Sequence, residues 1–201
     1  MTAVHADKFA RRRSSSIGRA SDYVSRSRTP PCAYYPARVS TVATVVEPDA
    51  VIVPAGDALL GDPPRTEHVN VFAIARKPVS VAEYALFIDE TRHVPPLGWD
   101  QKRSAGQRAV EGVSWADAVA YCRWLTVGTG RIYRLPDERE WEKAARKDGT
   151  LEDLGPLREW TNSWQDGGRV LRTGVDPSSR VFVTDDLARV GFRVVHGMTG
   201  R

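Results

Sequence analysis

The segment that most constrains the fold is 132–146, with the sequence IYRLPDEREWEKAAR. Its apolar start ends at Pro136, a residue that interrupts regular structure. Asp137 is followed three residues later by Glu140, and this spacing can satisfy the free amides at the start of a helix. Trp141 and the two alanines after it then fall on one helical face. The segment predicts a short strand joined by a tight turn to a capped helix, and Gly149 predicts where that helix stops.

The same helix-start pattern occurs twice more. Ser80 with Glu83 begins one predicted helix, and Ser114 with Asp117 begins another. Apolar residues follow the second start at the spacing of an amphipathic helix. They are Ala118, Tyr121, Cys122 and Leu125.

The other segments predict short strands separated by turns. Residues 50–57 form a β-branched run stopped by Pro and Gly, and the apolar positions of 69–73 alternate with their neighbours. Further short strands are predicted at 158–161, 169–172 and 191–195. Few long elements and many loops indicate an α+β domain.

The charge of the chain is unevenly distributed. Residues 1–40 hold eight Lys and Arg against two acidic residues, whereas 41–201 hold 21 basic and 23 acidic residues. The first segment is rich in Arg and Ser and has no periodicity, so we expect a basic, disordered tail at 1–40 and a globular domain at 41–201. A transit peptide or a nucleic-acid-binding arm would have a similar composition. Residues 14–20 also resemble a translated transfer-RNA gene, so a start downstream of Met1 is an alternative.

Cysteine content and hydropathy indicate the compartment. The chain has two cysteines, Cys32 and Cys122, and no stretch of about 18 apolar residues that would cross a membrane. The N-terminal segment also lacks the apolar core of a secretory signal. We therefore expect a soluble cytoplasmic protein without membrane association, and nucleic acid as a partner only through the basic tail.

Five segments, in this order, resemble motifs of the formylglycine-generating enzyme, or sulfatase-modifying factor, family. They are PVSVAEY at 78–84, VSWADAVAYCRWL at 113–125, the segment 132–146, EWT at 159–161 and GFR at 191–193. The resemblance extends over about 45–195. It implies a C-type lectin-like fold of the sulfatase-modifying factor type, with short helices packed on small irregular β-sheets and many loops.

The resemblance also implies which chemistry is missing. Copper-dependent members of this family oxidise a substrate cysteine to formylglycine with two cysteines that precede the closing Gly-Phe-Arg motif, and thiolates suit Cu(I). Residues 170–190 contain no cysteine. Cys122 instead lies on the apolar face of a predicted helix, where a structural thiol is expected. Copper-dependent activity is therefore predicted to be absent.

No other metal site is predicted. The iron-dependent branch of the family uses clustered histidines, whereas here the histidines are isolated in sequence. They are His5, His68, His93 and His196. Calcium is an open alternative, although Gly155-Pro156 stands where the family has a Gly-Asn ligand. The nearby acids Asp148, Glu152 and Asp153 are expected to be solvated.

The remaining charged residues of these motifs have structural interpretations. Glu138, Glu140 and Glu142 surround a helix start, where capping and salt bridging are expected in preference to acid–base catalysis. Arg134, Arg146 and Arg193 are expected to tie irregular loops together through carboxylates and carbonyls.

A binding or repurposed module is the predicted function. Segments 92–110 and 162–190 would present loops to a protein or small-molecule ligand, with Trp99, Trp164, Arg172 and Arg180 as candidate ligand-binding residues. No catalytic residue, cofactor or oligomeric state is assigned.

Three alternatives are kept. The first is an oxidoreductase or maturation enzyme with a non-standard active site. The second is a retroelement-diversified receptor, which the absence of Asn and Tyr from 170–190 disfavours. The third is a degenerate gene fragment.

Overall fold

The computed structural model describes residues 45–182 and 189–198, and the predicted tail lies outside this range. The helices are α1 (Val81–Thr91), α2 (Trp99–Lys102), α3 (Trp115–Thr129) and α4 (Glu138–Ala145), with a 3-10 turn at Arg103–Ala105. The strands are β1 (Ala50–Val53), β2 (Gly56–Leu60), β3 (Arg65–Val69), β4 (Phe72–Ala75), β5 (Tyr133–Arg134), β6 (Arg158–Gln165), β7 (Gly168–Thr173), β8 (Asp176–Phe182), β9 (Val190–Gly191) and β10 (Val195–Gly197).

The described strands form three small sheets. One has the order β1-β4-β10-β5 and is antiparallel, and β2 and β3 form a separate hairpin. The third has the order β8-β7-β6-β9, in which β6 and β9 are parallel. Short helices on small sheets confirm the predicted α+β class. None of the helices in the described residues is long and apolar enough to cross a bilayer.

The three predicted helix starts are all confirmed. At α1 the Ser80 hydroxyl accepts a hydrogen bond from the Glu83 amide at 3.2 Å, and the Glu83 carboxylate accepts one from the Ser80 amide at 2.7 Å. The same reciprocal pair caps α3 and α4. Each pair satisfies two amides that a helix start would leave free.

The end of α4 differs from the prediction. The helix stops at Ala145, and Gly149 lies three residues beyond the cap at Arg146, with φ of 70°. A glycine favours positive φ in any turn, so its presence did not distinguish a helix end from the turn that follows one.

The predicted strand at 69–73 is two strands in two different sheets. β3 ends at Val69 and pairs with β2, whereas β4 begins at Phe72 and pairs with β1 and β10. Val71, expected to be on the buried face, is 41% exposed, and Phe72 is 1% exposed. The alternation breaks because the chain changes sheets at 70–71.

The main core is built around aromatic side chains from α1 and α3. Tyr84 and Tyr121 stack with ring centroids 5.9 Å apart, and Phe192 meets both rings edge-on. Such pairs add stability beyond area burial alone. A smaller cluster between β1–β4 and the end of α4 forms a second apolar centre.

A buried ion pair joins the distant motifs. Arg193 and Glu159 are both buried, and two parallel hydrogen bonds of 2.6 and 2.7 Å run from the guanidinium to the carboxylate. Trp141 of α4 donates to the same carboxylate at 2.8 Å, and Arg193 also donates to the carbonyl of Arg76 at 2.7 Å. Arg193 therefore ties loops through a carboxylate and carbonyls, as predicted.

Substitution of Arg193 by Met should destabilise the domain strongly. The change leaves the Glu159 carboxylate buried without its cation, which typically costs about 3–5 kcal/mol. Urea unfolding of the full chain would measure this loss. Arg103→Met, which breaks a surface pair with Asp89, is the matched control and should cost less than about 1 kcal/mol. Equal losses in the two variants would contradict the assignment.

Candidate functional site

Trp99 lies in the core and not on the expected binding surface. It begins α2, is 5% exposed and meets Tyr84 edge-on at 5.8 Å. The indole carries a large apolar area, so burial against the α1 aromatics outweighs the loop-like sequence around it. Within the described residues its Nε1–H and the Tyr84 hydroxyl have no hydrogen-bond partner.

Arg172 is also buried, because residues expected to form a binding loop form the sheet β6–β8. Its guanidinium lies 3.0 Å from the Glu138 carboxylate and 3.2 Å from that of Glu142, both on α4. It also donates to the carbonyls of Pro177 and Ser178 at 2.9 Å each. These contacts connect α4 to the β7–β8 hairpin, and they keep Arg172 away from any surface ligand.

Arg180 belongs to the same ionic network. It lies on β8 and its Nε donates to Glu138 at 2.6 Å, while one Nη donates to the other carboxylate oxygen at 3.2 Å. Glu142 in turn accepts from Arg146 at 2.8 Å and from the Gly61 amide at 2.8 Å. The α4 network, as we call it, therefore consists of Glu138, Glu142, Arg146, Arg172 and Arg180.

The α4 network confirms the structural interpretation of the glutamates. Glu138 and Glu142 are paired as described, and Glu140 caps α4 while forming a two-pronged pair with Arg134, with both distances 2.6 Å. Burial alone would raise the pKa of Glu138, but the hydrogen bond from Arg180 and the charges of Arg172 and Arg180 outweigh it and lower that pKa. An ionised, paired carboxylate is a structural group and a poor proton donor near neutral pH.

Trp164 is the one predicted residue that the structure places at an open surface. It lies on β6 opposite Arg169 of β7, and it is 62% exposed. The guanidinium carbon of Arg169 lies 3.6 Å from the ring centroid of Trp115 and 5.1 Å from that of Trp164. These distances are within cation–π range. We name Trp115, Trp164 and Arg169 the Trp–Arg cluster.

The Trp–Arg cluster is positioned by an irregularity in β6. The pairing register with β7 shifts between Trp160 and Trp164, and the residues between them contact two helix starts. Trp115, the first residue of α3, donates from Nε1 to the Thr161 carbonyl at 3.2 Å. The Ser163 hydroxyl accepts from the Glu138 amide of α4 at 2.9 Å. The irregular segment of β6 is therefore held by the starts of both α3 and α4.

Arg169 differs from the other arginines of this sheet. In the described part of the chain its guanidinium stacks on Trp115 and forms no hydrogen bond or ion pair. The in-plane N–H groups of a stacked guanidinium are available to a carboxylate or phosphate. Sequence analysis did not identify Trp115 or Arg169 as candidate site residues, because Trp115 occurs there only within the motif at 113–125 and no motif surrounds Arg169.

The single cysteine of the described residues is poorly suited to metal or redox chemistry. Cys122 lies on the inner face of α3 and is 3% exposed, and burial raises the pKa of its thiol to about 12. Cys32, the other cysteine of the chain, lies outside the described residues. A buried thiol with a raised pKa is almost fully protonated at neutral pH, whereas metal binding and nucleophilic attack need the thiolate.

The histidines within 45–182 and 189–198 are held separately. His93 contacts Asp117 at 2.8 Å, His68 contacts Asp57 at 2.8 Å, and His196 packs against Tyr133. No three His, Cys, Asp or Glu side chains in these ranges are grouped as metal ligands would be. Of the acids considered for calcium, Glu152 lies 3.4 Å from Lys77.

Two open clefts flank the contact between Ser80 and Ala109. One, of about 270 Å³, includes Lys77 and Glu83 in its wall, and the other, of about 240 Å³, includes Lys102 and Arg108. In the first cleft Glu83 is engaged in the α1 cap and Lys77 in an ion pair with Glu152. The second borders the predicted segment 92–110.

The fold and its motifs define a class of protein. Three capped helices on small sheets, with Gly-Phe-Arg tied to Glu-Trp-Thr by the Arg193–Glu159 pair, are the architecture of a C-type lectin-like domain of the sulfatase-modifying factor type. Residues 36–185 match the family model described as the sulfatase-modifying factor enzyme 1-like domain. The chain belongs to that family.

Sequence relatives include both inactive and catalytic proteins. The chain is 37% identical over 113 residues to the inactive C-alpha-formylglycine-generating enzyme 2 of Mus musculus, covering 53% of this chain and 30% of the relative. It is 30% identical over 141 residues to hercynine oxygenase of Mycolicibacterium smegmatis (strain ATCC 700084 / mc(2)155), covering 49% and 32%. The aligned part thus spans about a third or less of these relatives.

Solved structures support the fold. PvdO from Pseudomonas aeruginosa aligns with a TM-score of 0.61 at 20% identity and covers 75% of this chain and 95% of PvdO. CarF aligns with a TM-score of 0.59 at 20% identity and covers 76% and 99%. At this identity the likeness establishes the predicted C-type lectin-like fold alone.

Removal of the Glu138 carboxylate should reduce the acid sensitivity of the domain. The pKa of Glu138 is lowered on folding, so its stabilisation is complete above the ordinary glutamate pKa of about 4.3 and is lost as pH falls through the folded value. The stability difference between the wild type and Glu138→Gln should be largest at pH 7 and should shrink by pH 3. Urea unfolding across this range measures it.

Asp89→Asn is the control for this pH series, because Asp89 is paired only at the surface with Arg103. A surface pair contributes less than about 1 kcal/mol, so its curve should stay close to that of the wild type. A Glu138→Gln difference that is independent of pH would exclude the ionised network as its cause.

Proposed function

We propose that this chain is a binding or repurposed member of its family that lacks copper-dependent formylglycine-generating activity. The observation that carries the proposal is the state of the thiols. Residues 170–190 hold no cysteine, and Cys122 is buried with a raised pKa. Copper oxidation by this family uses two cysteine ligands before the Gly-Phe-Arg motif, and neither is present.

The names of the relatives support this proposal. The proteins of Mus musculus and Bos taurus that align with this chain are both named inactive C-alpha-formylglycine-generating enzyme 2. The Trp–Arg cluster gives the domain an exposed aromatic side chain beside an arginine whose guanidinium has no ion-pair partner in the described residues. Together these observations favour recognition of a protein or small-molecule ligand.

A catalytic function with a non-standard site is the second candidate. The observation that favours it is the similarity to hercynine oxygenase, which extends over about half of this chain. The described histidines do not favour it, because within the described residues no three His, Cys, Asp or Glu side chains are grouped as metal ligands would be. Such an enzyme would need a metal or electron acceptor held by residues outside the aligned part, or by a partner.

The cytoplasm is the proposed location. Two cysteines, one of them buried and reduced in the fold, fit a reducing compartment. Nucleic acid is not a proposed partner of the domain, because 41–201 carry slightly more acidic than basic residues.

The proposal predicts that the purified full chain will not oxidise a substrate cysteine. A peptide containing Cys-x-Pro-x-Arg is incubated with the chain, copper and a reductant, beside an active formylglycine-generating enzyme. Mass spectrometry should find the peptide cysteine intact with this chain and converted to an aldehyde by the active enzyme. Circular dichroism and cooperative unfolding establish that the sample is folded, and aldehyde formation by this chain would refute the proposal.

The protonated state of Cys122 can be measured directly. In a Cys32→Ser variant of the full chain, we expect Ellman's reagent to leave the remaining thiol almost unreacted at pH 7.5, because the thiol is buried and its pKa is about 12. One thiol per chain should react once guanidinium unfolds the protein. Rapid reaction of the folded variant would remove the main support for the proposal.

A further inference from the structure

We propose that the Trp–Arg cluster binds a carboxylate attached to an aromatic group, either as a free aromatic acid or as the C-terminal residue of a peptide. This inference rests on the proposed binding function and names the class of ligand. It follows from the geometry of Trp115, Trp164 and Arg169 and from the positive charge of Arg169, which no carboxylate of the described residues neutralises.

Arg169 is the anion-binding group of the proposed site. Trp115 covers one face of its guanidinium at 3.6 Å, and the Trp115 ring is itself held by the hydrogen bond from Nε1 to the Thr161 carbonyl. Stacking fixes the plane of the guanidinium and leaves its edge as the donor side. No carboxylate of the described residues occupies that edge. A carboxylate can accept two parallel hydrogen bonds there.

Trp164 is the surface on which the aromatic group of the ligand would stack. Its ring is largely exposed and lies 5.1 Å from the guanidinium carbon, so a group stacked on it would be next to the anion-binding edge. Aromatic rings stack on tryptophan with a favourable energy beyond the area that they bury. An aromatic group one to three bonds from a carboxylate, as in benzoate or a C-terminal phenylalanine, can make both contacts at once.

The charge of Arg169 indicates the charge of the ligand. The other arginines near this sheet edge, Arg172 and Arg180, are neutralised by Glu138 and Glu142 of the α4 network. The cluster therefore offers a single unbalanced positive charge among the described residues, which matches a monoanionic carboxylate. A phosphate dianion would bring a second negative charge that these residues do not compensate.

The alternation of β7 explains why the two arginines of this strand differ. Val170 and Arg172 lie on the side of the sheet that faces α4, and Arg169 and Leu171 lie on the other side with Trp115. Successive side chains of a strand point to opposite faces. Arg169 is therefore separated by the sheet from the carboxylates that pair with Arg172.

The test uses the full chain and four probes. They are benzoate, benzamide, and the peptide acetyl-Gly-Gly-Phe with a free or an amidated C-terminus. Binding is followed by the indole N–H signals in a ¹H–¹⁵N NMR spectrum, with the Trp164 signal assigned from a Trp164→Phe variant. We expect the acids to shift the Trp115 and Trp164 signals with Kd on the order of 1 mM. The amides should bind at least about tenfold more weakly, because they lose the charge-assisted pair.

Benzoate and the free-acid peptide separate the two sources of the ligand. Tighter binding of the peptide assigns the site to a protein C-terminus, whereas equal or tighter binding of benzoate assigns it to a small aromatic acid. Either result supports the inference. Failure of both acids to bind at 10 mM, a concentration about ten times the expected Kd, overturns it.

Variants then locate the binding. Arg169→Gln and Trp164→Ala should each weaken binding of the acids by about tenfold or more. Arg169→Lys keeps the charge but loses the planar fork, so it should bind more weakly than the wild type. The exposed Arg123 of α3 lies outside the cluster, and Arg123→Gln is the matched control that should bind normally.

The exposed position of Trp164 keeps the test valid, since Trp164→Ala removes little buried surface and should fold even if Arg169→Gln does not. Unchanged acid binding in Trp164→Ala, or equal binding of acids and amides, overturns the inference. Its failure would leave the proposed loss of copper chemistry standing. Aldehyde formation in the peptide assay would refute that loss and leave this site untouched.

Discussion

The buried pair of Arg193 and Glu159 is the interaction on which the rest of the structure depends. Removing two charges from water is costly, and attraction repays that cost only if the geometry is good and the remaining donors and acceptors are satisfied. Here two parallel hydrogen bonds join the pair, Trp141 donates to the carboxylate, and backbone carbonyls of β4 and the residue after it accept from the guanidinium. The pair thus joins a helix and two separate sheets, none of which is large enough to bury a core alone.

The α4 network extends this principle to neighbouring residues of α4, Glu138 and Glu142, which lie close to Trp141 on the helix. Glu138 and Glu142 leave the same face of the helix, four residues apart, and meet arginines from β7 and β8. The helix is therefore fixed to the sheet by ionised groups as well as by apolar contacts. This arrangement occupies the arginines of one sheet face and leaves Arg169 on the opposite face, where stacking on Trp115 replaces a salt bridge. One strand thus supplies a structural arginine and one that is available for binding.

The sequence predicted the local structure more accurately than the tertiary position of single residues. Ser80, Ser114 and Asp137 identified three helix starts because a capping box is complete within four residues. The change of sheets at 70–71 was not predicted. Alternation of apolar and polar residues indicates which face of a strand is buried, but it does not indicate which sheet the strand belongs to. Arg172 was expected at a surface and is buried, because its partners lie about 30 residues away in sequence. Trp164 is exposed, as a binding residue would need to be, but its neighbours Trp115 and Arg169 were not identified, since they meet it only where an irregularity of β6 brings α3 and β7 together.

The contacts that hold this domain together are separate from the thiols that the proposed loss of copper chemistry concerns. The capping boxes, the Arg193–Glu159 pair and the α4 network involve no cysteine, so the absence of thiols before Gly-Phe-Arg removes none of them. The Trp–Arg cluster lies on paired strands and on the first turn of a capped helix, all of which this scaffold holds in place. Side chains on such elements lose little entropy on binding, and a ligand gains affinity from a site that is already formed. The proposed site needs no catalytic residue to be specific, because a ring and a guanidinium carbon 5.1 Å apart would favour ligands that carry an aromatic group and an anion at a matching spacing.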